Sequence, residues 1–346
     1  MAPLLGLTSL LTHQVLATLL GAATVVLVGL AARRLSADRG GLIAAALAAL
    51  YPGFWLYERA LLSETLLLLA VAALVIAAYW FRDAPSPRRA LALGGLCGIL
   101  ALIRSEQLFL VVALLIPLTL AWRDMSRRRV ELLLLAGLST ALVIAPWPLY
   151  NLDRLDEPVL LSTGLGAAMA QGNCDSAYSG TLMGYFDFNC LGTNVQKAAR
   201  GGSKDPYGDA TLRREALDYM QDHVGRLPAV SLARQGRAWS FFRPLQTADL
   251  EAEFSKTASS VHRLATLFYW ALLPGAVVGV IALRRRRISL LPLVAPFLVT
   301  VVAVATTYGQ PRLRVGAEVP LVLLAAVGID FALRSRAGEV DDQVPG

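Results

Sequence analysis

Apolar runs alternate with short polar segments along most of the chain. A helix that crosses the hydrocarbon core of a bilayer needs about 20 mainly apolar residues, with a range near 17–25. Several runs reach or approach that length, and Ala90–Ile103 is among the short ones. The runs are His13–Ala32, Gly41–Leu56, Ala60–Phe81, Ala90–Ile103, Gln107–Trp122, Val130–Leu149, Leu264–Leu283, Ile288–Thr307 and Val319–Leu333. The pattern predicts an all-α polytopic membrane protein with about nine transmembrane helices.

One long polar stretch, Asn151–His262, separates the sixth run from the seventh. The backbone groups of such a segment would lack hydrogen-bond partners in hydrocarbon, so it must fold on one side of the membrane. The sequence therefore predicts an N-terminal transmembrane bundle over residues 1–150 and a mainly helical loop domain over 151–262. C-terminal transmembrane helices over 263–334 and a tail over 335–346 follow.

Arginine is distributed very unevenly among the segments that join the runs. Alternate segments are rich in it: Arg33, Arg34, Arg39, Arg82, Arg88, Arg89, Arg123, Arg127–Arg129, Arg284–Arg287, Arg334 and Arg336. The short segments between them hold only Arg59, Arg104, Arg312 and Arg314. Positive charge in short loops marks the cytoplasmic side. We therefore expect a multi-pass plasma-membrane protein with an extracytoplasmic loop domain and a cytoplasmic C-terminus.

This topology depends on the runs Ala90–Ile103 and Gln107–Trp122, because both of their outer flanks are basic. Two separate crossings satisfy that parity, and so does a re-entrant hairpin. The same count places residue 1 outside, although Met1–Thr12 has no basic region of the kind that begins a signal peptide. We expect a further helix upstream of Met1; the alternative is a first helix that inserts unaided with its N-terminus out.

Composition agrees with a membrane protein and excludes one other class. Hydrophobic residues make up 56% of the chain and charged residues 16%, whereas soluble domains carry about 25% charged residues. The net charge of +7 does not indicate a nucleic-acid partner, because the basic residues lie in short clusters between apolar runs rather than on one patch.

The loop domain contains two cysteines in the segment "GNCDSAYSGTLMGYFDFNC". Outside the membrane the compartment is oxidising and disulfides persist. The sequence predicts a disulfide between Cys174 and Cys190, with two unpaired thiols as the alternative. Cys97 lies within an apolar run and is expected to be part of the core.

Two helical segments are predicted further along the loop domain. Asp209–Val224 has apolar side chains at helical spacing, and Asp209 is a candidate N-cap. Ala229–Phe242 is amphipathic and carries arginines beside Trp and Phe. Such a segment suits the lipid headgroup layer; packing against the rest of the loop domain is the alternative.

The sequence lacks the Walker, HExxH, CxxC and GxSxG motifs, and its three histidines are scattered. What remains is a set of ionisable residues at the predicted outer ends of spans: Glu58, Arg59, Glu64, Arg104, Glu106, Arg312 and Arg314. The helical run before Arg104 would rise only about 21 Å, against a hydrocarbon core of about 30 Å. A charge at mid-membrane costs about 2.5–3.5 kcal/mol and usually faces a bundle interior or a watery cavity. For each arginine alone, an interfacial salt bridge or a headgroup anchor is the alternative.

A cavity lined by arginines and carboxylates at the outer leaflet suits the phosphate of a lipid carrier. Guanidinium groups match phosphate oxygens with paired hydrogen bonds. A sugar on that phosphate would project towards the loop domain, and a carboxylate could deprotonate an incoming hydroxyl as a general base.

The order of several segments carries a family resemblance. They are "ALLSETLLLL", "LALIRSE", "APWPLYN", "GNC…YSG…GYFDFNC", "RLPAVSLARQGRAWSFFRP" and "QPRLRVGAEVPLVLLAA". Together they resemble bacterial C-type membrane glycosyltransferases of the actinobacterial type, which are related to protein O-mannosyltransferases and to the aminoarabinose lipid A transferase. The resemblance implies a glycosyltransferase that moves a hexose or pentose from a polyprenyl-phosphate carrier to an extracytoplasmic acceptor, with inversion. It assigns no cofactor, leaves a divalent metal open, and does not say whether the acceptor is a protein, a glycan or a lipid.

The same resemblance implies roles for particular residues. Glu64 matches the acid of the "SET" motif, and Arg104 with Glu106 matches the "RxE" element. Arg312 and Arg314 match a late external basic pair. We therefore expect Glu64 and Glu106 to be catalytic, and Arg104, Arg312 and Arg314 to bind the lipid phosphate.

Two departures from the family pattern qualify these expectations. The family has Arg-Asn where this chain has Tyr150–Asn151. Its main catalytic Asp lies in a first external loop, which we expect upstream of Met1, so the chain as given is either a fragment from a misplaced start or an inactive homologue. The alternatives to a glycosyltransferase are a lipid or sugar transporter or flippase, and a non-catalytic membrane scaffold.

Overall fold

A computed structural model describes residues 9–58, 62–120, 126–152, 154–155, 159–192 and 208–337 of the protein. The described residues form helices and connecting turns, without strands. The α-helices are α1 Leu10–Leu50, α2 Pro52–Trp55, α3 Glu64–Asp83, α4 Pro87–Ile103, α5 Ile116–Leu120, α6 Ser126–Ile144, α7 Pro146–Leu152, α8 Leu165–Gly172, α9 Asp175–Tyr178, α10 Asp209–Asp222, α11 Leu227–Ala238, α12 Pro244–Ser255, α13 Ser259–Arg285, α14 Leu291–Thr306 and α15 Val315–Arg336. The predicted all-α class is confirmed for this part of the chain.

Four helical segments in the described part of the chain are long and apolar enough to cross a membrane. They are α1, α3, α13 and the segment Pro311–Arg336 that ends in α15; the bent pair α6 and α7 makes a fifth if it counts as one span. Ser105–Leu120 and α14 are apolar but shorter. The nine predicted crossings therefore remain a prediction.

Helix α1 is not one straight rod. Ser36 and Ala37 leave the helical conformation, and Ala37 has a positive φ of 61°. A β-carbon on Gly41 would lie 2.9 Å from the backbone oxygen of Gly29, so the two halves of α1 pack closely against each other where neither residue has a side chain. The break and this contact make α1 a hairpin of two antiparallel helices, in agreement with two predicted runs.

The bundle is built around α15, whose residues from Val315 to Gly328 are buried. It packs against α1, α3, α13 and α14. Close approach to α13 depends on small residues: a β-carbon on Gly328 would meet the backbone oxygen of Gly275 at 2.0 Å, and one on Gly279 would meet that of Leu324 at 1.9 Å.

Basic residues that the sequence assigns to the cytoplasmic side meet at one end of the bundle. Asp330 of α15 is fully buried and accepts a hydrogen bond of 2.6 Å from Ser36. Arg334 pairs with the same carboxylate at 2.9 Å, and Arg39 lies 3.6 Å from it. The break in α1 therefore lies at the same end as the C-terminus of α15.

The segment between α7 and α13 folds into short helices, α8 to α12, and a disulfide joins Cys174 to Cys190 with their Cα atoms 6.0 Å apart. Helix α10 begins at Asp209, but the predicted N-cap role of Asp209 is wrong. Gly208 occupies that position with φ 61°, and the Asp209 carboxylate instead accepts hydrogen bonds from the amides of Gly166 and Ala167, at the start of α8.

The predicted amphipathic segment Ala229–Phe242 overlaps α11, which runs from Leu227 to Ala238. Its Arg234 and Arg237 are fully buried. For these two arginines the structure therefore favours the alternative of packing within the protein over contact with lipid headgroups. The predicted boundary between residues 262 and 263 falls inside α13, which begins at Ser259.

Candidate functional site

Three of the predicted site residues meet at the end of the bundle opposite Asp330. Glu64 is fully buried, and its Oε1 accepts a hydrogen bond of 3.0 Å from Nη1 of Arg104. Nε of Arg312 donates to the same oxygen. One carboxylate oxygen thus links two guanidinium groups that are far apart in sequence.

The local fold explains why these side chains converge. Glu64 is the first residue of α3 and Arg104 caps the end of α4 with extended backbone, φ −148° and ψ 123°. Arg312 lies in a 3₁₀ turn, Pro311–Arg314, directly before α15. Each residue therefore stands at a terminus of a different helix, and the three termini lie at the same end of the bundle.

Glu106 completes the group. Its Oε1 accepts a hydrogen bond of 2.5 Å from Nε of Arg104. Side-chain exposure is 25% for Glu106, 23% for Arg312 and 13% for Arg104, against 0% for Glu64. The two arginines and Glu106 are thus open to a ligand, whereas Glu64 lies beneath them.

Both arginines retain unused hydrogen-bond donors. Arg104 uses Nε and Nη1, and Arg312 uses Nε; within the described residues their remaining Nη groups donate to no side chain. Oε2 of Glu64 is buried and has no hydrogen-bond partner in the same part of the chain. A buried carboxylate that two guanidinium groups hold in this way is suited to orienting them, because charge-assisted hydrogen bonds fix their relative positions.

Arg314 does not join this group. Its guanidinium is buried, bonds to Glu318 at 2.9 Å and to the Ala238 carbonyl at 2.8 Å, and lies 3.8 Å over the ring of Tyr269. Tyr51 also donates to Glu318, at 2.9 Å. These contacts give Arg314 a packing role and leave its predicted contact with a phosphate without geometric support.

A carboxylate that the sequence analysis missed lies beside the site. Glu251 of α12 is buried and accepts a hydrogen bond of 2.6 Å from the hydroxyl of Tyr185. Burial raises the pKa of Glu251 to about 7, and the hydrogen bond from Tyr185 together with the charges of Arg312 and Arg314 limits the rise. No repeated apolar pattern marks Glu251 in the sequence, because its burial comes from contacts between distant segments.

The Glu251→Gln variant is expected to be less sensitive to rising pH than the wild type. A carboxyl whose pKa is higher in the folded than in the unfolded protein stabilises the fold fully below its unfolded pKa, and that stability is lost as the pH rises through the folded value. The shift from 4.5 to about 7 corresponds to about 3 kcal/mol. The change in unfolding temperature between pH 5 and pH 8, measured in detergent, tests this pH dependence. The control is Glu253→Gln, because Glu253 is exposed on the same helix. Equal pH dependence of the Glu251→Gln variant and the wild type would contradict it.

Aromatic rings form a cluster next to Arg312. Phe186 is buried and lies edge-on to Phe188 and Phe254, at centroid distances of 5.0 Å and 5.8 Å. Its ring is 5.3 Å from that of Tyr308. Phe188 and Phe254 are stacked with an interplanar angle of 17°, and the Arg312 guanidinium lies 5.6 Å from the centre of the Phe254 ring.

Two buried arginines tie the loop domain together and join it to the bundle. Arg234 donates to the carbonyls of Gly172 and Ala305, at 2.7 Å and 2.8 Å. Arg237 donates to the carbonyls of Met183 and Thr181, at 2.6 Å and 2.7 Å. Burial lowers the pKa of both arginines. Arg234 in particular connects α8 to the end of α14, a few residues before Arg312.

The remaining described ionisable candidate, Glu58, does not join the site. Glu58 packs against Gly21 of α1, where a β-carbon would lie 1.9 Å from its carboxylate, and Arg59 lies outside the described residues. His262 hydrogen-bonds to Ser255 at 2.9 Å. In the described ranges, no three His, Cys, Asp or Glu residues converge in a way that suits a metal ion.

Comparison with known proteins links the first part of the chain to one family. Residues 5–150 match the model of a family described as dolichyl-phosphate-mannose-protein mannosyltransferase. No curated protein and no solved structure matches the chain. The matched part contains Glu64, Arg104 and Glu106, whereas Arg312 lies beyond it. The similarity supports a membrane glycosyltransferase of the mannosyltransferase type.

Proposed function

We propose that the protein transfers a sugar from a polyprenyl-phosphate carrier to an acceptor outside the cytoplasm, with inversion at the sugar carbon. The observation that carries the proposal is the linkage of Arg104 and Arg312 through Glu64. It presents two partly exposed guanidinium groups at one end of an apolar bundle. A phosphate at headgroup depth would accept hydrogen bonds from their free Nη groups.

The proposed reaction is a single displacement. The acceptor hydroxyl oxygen forms a bond with the anomeric carbon, the bond from that carbon to the phosphate oxygen breaks, and the hydroxyl proton passes to a carboxylate. Glu106 is the exposed carboxylate of the site and is our candidate base. Glu64 holds both arginines in place beneath the phosphate, and the arginines stabilise the charge that develops on it.

A transfer assay tests the function directly. The full-length protein, reconstituted in vesicles, is given polyprenyl-phosphate mannose with a labelled sugar and an envelope fraction as acceptor. We expect labelled acceptor, an equal amount of free polyprenyl phosphate, and an inverted anomeric configuration in the product. Label that crosses the bilayer with its phosphate bond intact would favour a transporter. Absence of both outcomes, with no binding of the lipid phosphate, would favour a scaffold.

The proposal also places the loop domain, residues 151–262, outside and the C-terminus inside, with nine crossings. Cysteine labelling tests this with low background, because Cys97 is buried and the other two cysteines are bonded. An impermeant maleimide is expected to label Glu253→Cys in intact cells, and Arg33→Cys only after permeabilisation. Both positions are exposed. The reverse pattern would refute the topology and, with it, the proposed site of transfer.

A further inference from the structure

Phe188 and Phe254 expose aromatic surface beside the proposed phosphate site. Phe188 is 56% exposed and Phe254 is 36% exposed. They come from different segments of the loop domain, the 3₁₀ turn Phe188–Leu191 and helix α12. Large exposed apolar surfaces often mark binding sites, and here two exposed rings lie next to each other with their centroids 6.4 Å apart.

The cluster beneath these rings holds them in position. The buried ring of Phe186 contacts both in edge-to-face geometry, which is a favoured arrangement for aromatic pairs. Phe186 also contacts Tyr308, and the Arg312 guanidinium lies over Phe254. The exposed pair is therefore continuous with the arginine that the proposed function assigns to the phosphate.

We propose that Phe188 and Phe254 form the sugar subsite, on which the ring of a lipid-phosphate-linked hexose or pentose stacks with its apolar C–H face. This inference rests on the proposed function. A sugar joined to the phosphate by one oxygen must lie immediately beside Arg312, and these rings are what the loop domain places there. A pyranose has an apolar face and polar edges, so a flat aromatic surface binds the face while the edges remain available to polar groups.

Comparing the affinities for two lipids, one with and one without the sugar, tests the sugar subsite separately from the proposed function on which it rests. Polyprenyl phosphate and its mannosylated form are titrated against the purified full-length protein in detergent. The affinity gained on adding the sugar is the quantity of interest. We expect Phe254→Ala and Phe188→Ala to weaken binding of the mannosylated lipid about tenfold more than binding of polyprenyl phosphate.

Conservative variants distinguish stacking from packing. Phe254→Tyr is expected to keep the affinity for the mannosylated lipid, whereas Phe254→Leu, which stays apolar without a flat ring, is expected to lose it. Phe241→Ala, an exposed phenylalanine elsewhere in the loop domain, is the matched control and is expected to bind both lipids normally.

Several results would overturn the subsite. These are full affinity of the Phe254→Leu variant for the mannosylated lipid, or an equal loss of affinity for both lipids in the alanine variants. The first result would indicate that the rings contact the bilayer surface instead. If the wild type bound neither lipid, the proposed function itself would fail. If the wild type bound both lipids and the phenylalanine variants bound them equally well, only the sugar subsite would fail.

Discussion

The Arg104→Ala variant is expected to lose sugar transfer by at least about a hundredfold while still inserting in the membrane. Removal of one donor that stabilises developing charge typically costs that much. Arg104 also bonds to both Glu64 and Glu106, so its loss leaves Arg312 as the remaining partner of the buried carboxylate. Initial rates of transfer from polyprenyl-phosphate mannose, corrected for the amount of inserted protein, measure the effect.

Three further variants sharpen this test. Arg33→Ala removes a surface arginine at the other end of the bundle, which pairs with an exposed Asp38, and this variant should transfer normally. Arg312→Ala should resemble Arg104→Ala, and both should weaken binding of polyprenyl phosphate. Arg314→Ala should lower stability but keep phosphate binding in the folded fraction, because its guanidinium is engaged with Glu318. Normal transfer by the Arg104→Ala variant would remove that residue from the site.

Among the variants proposed here, Arg234→Ala is expected to cause the largest decrease in the free energy of unfolding. Its guanidinium bonds to the buried Gly172 carbonyl, to the buried side chain of Asn173 and to the partly buried Ala305 carbonyl. A buried polar group left without its partner costs about 1–3 kcal/mol, and relief of the buried charge offsets part of the sum. We expect a loss of about 3 kcal/mol and a fall of the melting temperature by roughly 5 °C or more.

Arg243→Ala provides the comparison for Arg234→Ala. Arg243 also donates to two backbone carbonyls, those of Gly180 and Thr181, but its side chain is exposed. Water can replace it there, so its loss should have a small effect on thermal unfolding. If the two alanine variants unfolded at the same temperature, burial would not explain the contribution of Arg234 to the stability of the protein.

The all-α class and the main apolar helices were predictable from the sequence, because long apolar runs mark helices that lie in a core or a membrane. The broken helix α1 follows the same pattern. Ser36 and Ala37 interrupt the helical conformation within a polar stretch that the run pattern treats as a loop. Helix length was less predictable, because α4 and α14 have 17 and 16 residues, fewer than the roughly 20 that a full crossing needs.

The candidate site was predictable only where ionisable residues interrupt apolar runs. Glu64 and Arg104 stand out in this way, and the structure brings them together with Arg312. Arg312 and Arg314 look equivalent in sequence, yet the 3₁₀ turn directs one towards Glu64 and the other towards Glu318. Glu251 and Phe254 had no local signal, because their environment forms only when the loop domain packs against the last helices.

The bridge centred on Glu64 also constrains biosynthesis. Its second arginine, Arg312, is 248 residues further along the chain. A polypeptide that ends before Arg312 would therefore leave the buried Glu64 carboxylate with Arg104 as its one described partner, and a buried charge that loses a partner is costly. Premature termination before residue 312 should consequently yield an unstable product rather than a partly active one.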